Sequence, residues 1–320
     1  MGECRRSAVQ TAQSLGFDEE RRHNIGIVAT EAANNVLLHA QNGELLICPF
    51  REGETAWIDL LAIDAGPGIL DIGRALEDGF STNGTAGEGL GAISRLSDES
   101  SLYSIPEKGT LSWSRFQRGP LTPLLSAGVV SIPVKGESTC GDGYFILPGT
   151  ARSLYMVVDG LGHGAGATEA AEEAILTVSR FSAENTTEII SRSHDALKKT
   201  RGAAMSIAIV DHERMVLRYA GVGNVSATLV TGSLARSLVS QNGTLGVALP
   251  RVPQEYSYPI EKNTTLFMFT DGLSTKTSAS GYPGIQNRHP ALVSGLLYRD
   301  FSRKRDDATI LIAPLGGSRT

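Results

Sequence analysis

The chain has 320 residues, 41% of them hydrophobic, enough for one large or two medium domains with real cores. Its net charge of -5 is uneven: residues 1–120 hold 10 Lys/Arg against 17 Asp/Glu, and residues 121–320 hold 19 against 17. Neither part has a basic patch dense enough for nucleic acid, no apolar run approaches a membrane span, and three scattered cysteines (Cys4, Cys48, Cys140) argue against a disulfide framework. The expectation is a cytoplasmic protein with neither nucleic acid nor membrane as partner.

In chain order, hydrophobic periodicity predicts helices near 4–15 and 20–40, then strands near 44–50 and 56–64. A glycine-rich loop, a short helix near 89–98 and strands near 101–105 and 110–117 follow. "RGPLTPLLSAG" (118–128) interrupts the periodicity with two prolines and two glycines. The reading is a first domain over 1–118, a linker over 119–126 and a second domain over 127–320. In the second, strands are predicted near 128–134, 143–148 and 152–159, and helices near 165–182 and 186–199. Strands near 204–211, 214–221, 224–230 and 264–270, a helix near 289–300 and a strand near 308–313 complete it. The order suggests two α+β layer domains.

Chemistry-bearing residues cluster in both parts. In the helix "HNIGIVATEAANNVLLHA", Glu31 and Asn35 are four apart and share a face, which His39 extends. An amide oxygen can bind Mg2+, and a carboxylate can act as a general base. Alone, such a pair is more often a solvated polar face. "LLAIDAGPGI" ends a strand at Asp64, followed by Gly66 and Gly68; a carboxylate there can accept a hydrogen bond from an adenine amino group. "DAGPG" alone is more often just a turn. Gly87, Gly89 and Gly91 then run into a helix, whose first amides can cradle phosphates. The glycine spacing does not fit a dinucleotide fold, and there is no Walker lysine.

In the second part, Asp142, Asp159 and Asp271 each stand at a strand end before a glycine, and "RKRDDATILIAP" opens a strand with Asp306 and Asp307. One Asp-Gly is usually a turn. Several carboxylates at strand ends are costly to desolvate unless cations balance them. Two divalent metals about 3.5–4 Å apart would do so and would activate a water for attack on phosphorus. Glycine after the acid, Gly160 for example, lets a backbone carbonyl approach a metal. His163 could be a ligand, a substrate contact or a loop residue. Histidine and cysteine are too few for a zinc cluster, and no G-x-S-x-G serine-hydrolase element is present.

The ordered motifs of residues 1–117 resemble the GHKL ATPases, specifically the bacterial anti-sigma-factor serine kinases. The resemblance implies an α/β sandwich of the Bergerat type that binds ATP with Mg2+. Glu31 would be the base, Asn35 the Mg2+ ligand, and Asp64, Gly66 and Gly68 the adenine reader. Gly87, Gly89 and Gly91 would form the lid, with Thr110 beside the adenine. Those kinases begin with a strand before the first helix; here the chain opens inside the helix, which would shorten the sheet or offer its edge to a partner. Residues 126–314 resemble the SpoIIE-type branch of the PPM metal-dependent Ser/Thr phosphatases. That resemblance implies a β-sandwich flanked by helices with two Mn2+ or Mg2+ ions on Asp142, Asp159, Asp271 and Asp306, the Gly160 carbonyl included, while Asp307 is left open.

Together the two resemblances imply a phosphatase fused to a kinase-like domain, acting on a phosphorylated STAS-domain protein in bacterial stress signalling. A sigma factor or other regulator is a further candidate partner, and the oligomeric state is left open. The alternative is a non-catalytic GHKL module that sequesters a sigma factor or STAS partner, with ATP only as regulator.

Overall fold

The computed structural model describes residues 1–40, 42–52, 54–75, 89–119, 127–249 and 252–316. It divides into two compact units: Met1–Thr122 together with Tyr282–Arg299, and Pro123–Gly281 together with Asp300–Thr320. The predicted linker lies almost wholly outside the described residues. The second predicted domain, 127–320, is divided by this partition, because 282–299 associates with the first unit.

The first unit opens with helices α1 (Gly2–Ser14) and α2 (Glu19–His39). Asp18 caps α2: its Oδ1 accepts the Arg21 amide at 2.8 Å, and Glu19 and Glu20 favour the same positive helix end. Strands β1 (Gly43–Glu52) and β2 (Thr55–Asp64) form an antiparallel pair. Helices α3 (Ile72–Ala75) and α4 (Gly89–Leu96) precede strands β3 (Glu99–Ile105) and β4 (Gly109–Arg118). The sheet order is β1-β2-β4-β3, antiparallel throughout.

β2 is buried along nearly its whole length, so both of its faces are covered. Ala56, Ile58, Leu60 and Ala62 join a core with Ile25, Val28, Ala29 and Ala32 of α2 and Ala8 and Ala12 of α1. The alternate residues Trp57, Leu61 and Ile63 face the other way. There Leu61 and Ile63 meet a helix from far along the chain, Pro290–Phe301, in which nine consecutive residues, Pro290 to Tyr298, are buried. A side chain at Gly295 would overlap Leu61, so the helix approaches the sheet by its backbone. His289 stacks on Trp113 with centroids 3.7 Å apart. Tyr103 donates to the Pro283 carbonyl at 3.0 Å, and Arg299 Nη1 to the Asp64 carbonyl at 2.6 Å. On the same face Asp59 and Arg115, cross-strand partners, form a buried two-pronged ion pair at 2.7 Å in each arm.

The second unit is a sandwich of two five-stranded antiparallel sheets. The strands are β5 (Gly128–Ile132), β6 (Asp142–Leu147), β7 (Arg152–Gly160), β8 (Ala203–Asp211) and β9 (Val216–Val222). β10 (Ser226–Thr231), β11 (Leu234–Ser237), β12 (Tyr256–Pro259), β13 (Thr264–Phe269) and β14 (Ala308–Pro314) complete the set. The orders are β11-β10-β13-β14-β5 and β12-β9-β8-β7-β6. Helices α5 (Ala165–Arg180) and α6 (Thr186–Leu197) cover the second sheet through Ala170, Ala174, Val178, Ile189 and Ile190, packed on Leu154, Met156, Met205 and Ile207. In chain order the helix Pro290–Phe301 is α7. Strands β11 and β12, four residues each, were not expected: β11 is wholly exposed and shows no burial alternation. No described helix is long and apolar enough to cross a membrane.

Candidate functional site

Each unit gathers one set of the singled-out residues. In the first, the α2 turn carrying Glu31 and Asn35 faces the start of α4. A Cβ placed at Gly89 would lie 3.1 Å from Glu31 Oε2 and 3.6 Å from Asn35 Oδ1. Asn35 Nδ2 is buried and has no hydrogen-bond partner among the described residues. An orphaned amide costs free energy unless a ligand completes it, so this corner fits a group that brings acceptors. Asp64 ends β2, where its Oδ1 accepts the amides of Gly66 (2.8 Å) and Thr110 (3.1 Å). Its second carboxylate oxygen has no partner among the described residues. Thr110 and Ser104 hydroxyls are 2.9 Å apart, and Ser104 also accepts the Ile69 amide, which fixes the Gly68 turn. Gly91 lies in the first turns of α4, while Gly87 lies outside the described residues. His39, in the last turn of α2, is exposed.

In the second unit the aspartates converge at one end of the sandwich. Asp142 and Asp159 are direct cross-strand partners on β6 and β7. Burial, then the charges of Asp271, Asp306 and Asp307, raise Asp159 to about 7. Burial, with Asp159 and Asp307 nearby, pushes Asp142 well above the usual carboxylate range. Burial and the neighbouring Asp271 and Asp307 also raise Asp306. None of the five pairs with a Lys or Arg among the described residues. Several of their oxygens are already engaged. Asp142 Oδ2 accepts the Thr270 hydroxyl at 2.7 Å, Asp271 Oδ2 accepts Asn224 Nδ2 at 2.8 Å, and Asp306 Oδ1 accepts the Asp307 amide at 3.0 Å.

This separates the two aspartates of "DDAT". Asp307 is 2% exposed and spends both oxygens on backbone amides, Val134 at 2.7 Å and Gly141 at 2.8 Å. It is a strut for the loop before β6. Asp306 is more open and keeps oxygen capacity for a cation. Sequence reasoning missed Asn224, which stands in no acidic motif, and Thr270, whose place beside Asp271 does not reveal its bond to Asp142. The glycine of the third motif also has a packing reason: a Cβ on Gly272 would overlap the Asp307 carbonyl. Gly160 bonds through its amide to the Gly141 carbonyl at 3.0 Å. His163 Nδ1 lies 2.8 Å from Glu137 Oε1, and the ring is near enough to Asp306 to favour its charged form.

Among the described residues, no three His, Cys, Asp or Glu side chains already stand as a ligand array. Thr270, Asn224 and the Asp307 amide each occupy one carboxylate oxygen. The chemistry of the carboxylates still fits hard divalent cations: an all-oxygen donor set, half-buried, with its charge otherwise uncompensated. Binding would require proton release from Asp159 and small rotations of the carboxylates.

Comparison with known proteins then places both halves. The Stage II sporulation protein E (SpoIIE) family matches residues 149–315, and the histidine kinase-like ATPase domain family matches residues 1–113. The chain is 38% identical over 108 residues to the serine/threonine-protein kinase RsbT of Bacillus subtilis, covering 32% of this chain and 81% of that one. It is 27% identical over 187 residues to the phosphoserine phosphatase RsbX of the same organism, covering 58% and 93%. A crystal structure of RsbX with magnesium aligns at 27% identity and a TM-score of 0.50, covering 57% of this chain and 92% of that one.

Proposed function

Because the chain belongs to the SpoIIE family, with a histidine kinase-like ATPase domain ahead of it, we propose that its two domains write and erase one phosphorylation on a STAS-domain protein. The second domain is a PP2C-like Ser/Thr phosphatase, and the first is an RsbT-like, kinase-type domain. The target, the phosphotransfer activity and a cytoplasmic setting within stress signalling are the proposal. RsbT is named as a kinase and RsbX as a phosphatase, and this chain joins counterparts of both.

One observation supports the phosphatase chemistry above others: Asp142 and Asp159 are cross-strand neighbours whose charges have no Lys or Arg partner among the described residues. Asp142, Asp159, Asp271 and Asp306, with the Gly160 carbonyl, would hold two Mg2+ or Mn2+ ions. Those ions would supply charge neutralisation and an activated water. Thr270 and Asn224 orient two of the carboxylates from outside. Asp307 holds the loop.

In the first domain, Asp64 would read the adenine amino group through its open oxygen, with Gly66, Gly68 and Thr110 shaping the seat. Asn35 would bind Mg2+, Glu31 would accept the proton of the incoming hydroxyl, and Gly87, Gly89 and Gly91 would cover the phosphates.

The first experiment is Mn2+- or Mg2+-dependent hydrolysis of p-nitrophenyl phosphate by wild type and Asp271→Asn. Turnover lost in the variant supports the site, and equal turnover rejects it. ATP-dependent transfer to a STAS protein, run in Asp159→Asn to block reversal, tests the other domain. Absence of transfer, with a pull-down that survives Glu31→Ala and nucleotide removal, would favour the sequestering role and a purely regulatory ATP.

A further inference from the structure

The acidic cluster raises a charge problem that its five carboxylates do not solve. They carry more negative charge than two divalent cations offset, yet the substrate is a phosphomonoester dianion. A further cation must face the incoming phosphoryl group or the site repels it. One arginine, Arg201, stands at the same end of the sheet as Asp159.

Arg201 lies in the turn between α6 and β8. The register pairs Gly160 with Ala203 and Asp159 with Ala204, so Arg201 stands just past the strand end where Asp159 sits. The turn is pinned on both sides. Gly202 donates to Thr200 Oγ1 at 3.1 Å, and the Gly202 carbonyl accepts the Leu161 amide at 3.0 Å. The side chain lies along the glycine loop that follows Asp159. A Cβ on Gly166 would come within 2.5 Å of its Nε and 2.8 Å of its Cζ, and one on Gly162 within 3.4 Å of its Nη1. Of the glycines at every second position after Asp159 (Gly160, Gly162, Gly164, Gly166), Gly162 and Gly166 therefore form a bed for a guanidinium.

That guanidinium is otherwise barely used. It is exposed, it has no carboxylate partner among the described residues, and it makes one long hydrogen bond, Nη1 to the His163 carbonyl at 3.4 Å. Arg192, by contrast, is fixed by Glu184 at 2.8 Å. A guanidinium held in place by backbone shape, with its donors left open at the sheet end that carries Asp159, suits the bidentate capture of phosphate oxygens.

We infer that Arg201 is the phosphoryl-binding residue of the phosphatase site, taking the non-bridging oxygens of a phosphomonoester and of the product phosphate. The inference rests on the phosphatase reading and adds a residue outside the acidic motifs. Glycine at 166 is then part of the site, since alanine there would push the guanidinium off its bed with the arginine still present.

The test uses the full chain, Mn2+, p-nitrophenyl phosphate and inorganic phosphate as product inhibitor. Arg201→Ala is expected to raise both KM and the phosphate inhibition constant about tenfold or more, the loss of charge-assisted hydrogen bonds. The Mn2+ concentration for half-maximal rate should stay unchanged, and Arg201→Lys should recover part of the loss. Gly166→Ala should reproduce the defect, and should add nothing in an Arg201→Ala background. Phosphate constants within about twofold of wild type, or a shift seen only together with a changed Mn2+ requirement, would overturn the assignment. Wild type without hydrolysis would instead overturn the phosphatase reading. Calorimetric titration of the Mn2+-loaded protein with phosphate then decides on Arg201 alone: weaker binding in Arg201→Ala supports it, and equal binding rejects it.

Discussion

At the residue scale, the chain spends its buried charges in two opposite ways. Asp59 and Arg115 satisfy each other, with Arg115 4% exposed and its guanidinium 4.8 Å from the Trp57 ring centroid. Removing one partner strands a buried charge, so Asp59→Ala is expected to cost the first unit about 3–5 kcal/mol. Both tryptophans of the chain, Trp57 and Trp113, belong to this unit, so urea unfolding followed by tryptophan fluorescence reads it selectively. A loss below about 1 kcal/mol would show that the pair is solvated in solution. The aspartate cluster is the reverse case, charge without a partner. Asp159 titrates near 7 in the folded chain against 3.8 for a free side chain. The metal-free fold therefore holds a proton that the unfolded chain releases, and loses stability as pH rises from about 4 to 7. A cation must displace that proton. Mn2+ affinity, measured calorimetrically, is expected to fall roughly tenfold per pH unit below 7. An affinity flat between pH 5 and 7 would contradict the crowding. The motif aspartates were legible because Asp-Gly recurs at apolar strand ends. Asp59, Thr270, Asn224 and Arg201 were not, because their meaning depends on cross-strand register and on loops that meet only in the fold.

At the element scale, α2 and α5 were readable by their helical period, and β2 and β8 as near-continuous apolar runs of strands buried on both faces. The short strands β11 and β12 were not, since four mostly exposed residues leave no period. α7 was predicted within a residue of its bounds, but its packing partner was not legible. Its sequence "PALVSGLLYRDF" reads as an ordinary helix, but burial of nine successive residues is a property of a helix covered on all sides. Only the fold shows that one side lies on Leu61 and Ile63. Gly295→Val is expected to overpack that contact and cost about 1–3 kcal/mol, seen as an earlier urea transition of tryptophan fluorescence. His289 adds a pH signature. Burial, then the nearby Arg115, lowers it to about 3. The folded state refuses a proton that the unfolded chain takes up near 6.5, so the first unit loses stability as pH falls below about 6.5. His289→Phe should keep the stack on Trp113 and flatten that acid limb; an unchanged limb would place the acid sensitivity elsewhere.

At the scale of the whole molecule, family boundaries and compact units do not coincide. The SpoIIE match spans 149–315 without a break, yet Tyr282–Arg299 inside it belongs to the first unit. The chain therefore passes between units three times, and the last passage runs from α7 through a few residues to Asp306. A fragment ending at Thr122 keeps every ATPase motif but loses the cover of Leu61, Ile63, Leu111 and Trp113, all 2% exposed or less in the full chain. Uncovering a contiguous apolar sheet face should make it self-associate or bind hydrophobic dyes. Its tryptophan emission should shift to the red, because Trp113 loses its stack with His289. A synthetic peptide of residues 282–301 added in trans should reverse both effects in a saturable way. A monomeric, dye-silent fragment with full-chain emission would mean that α7 is dispensable to the first unit.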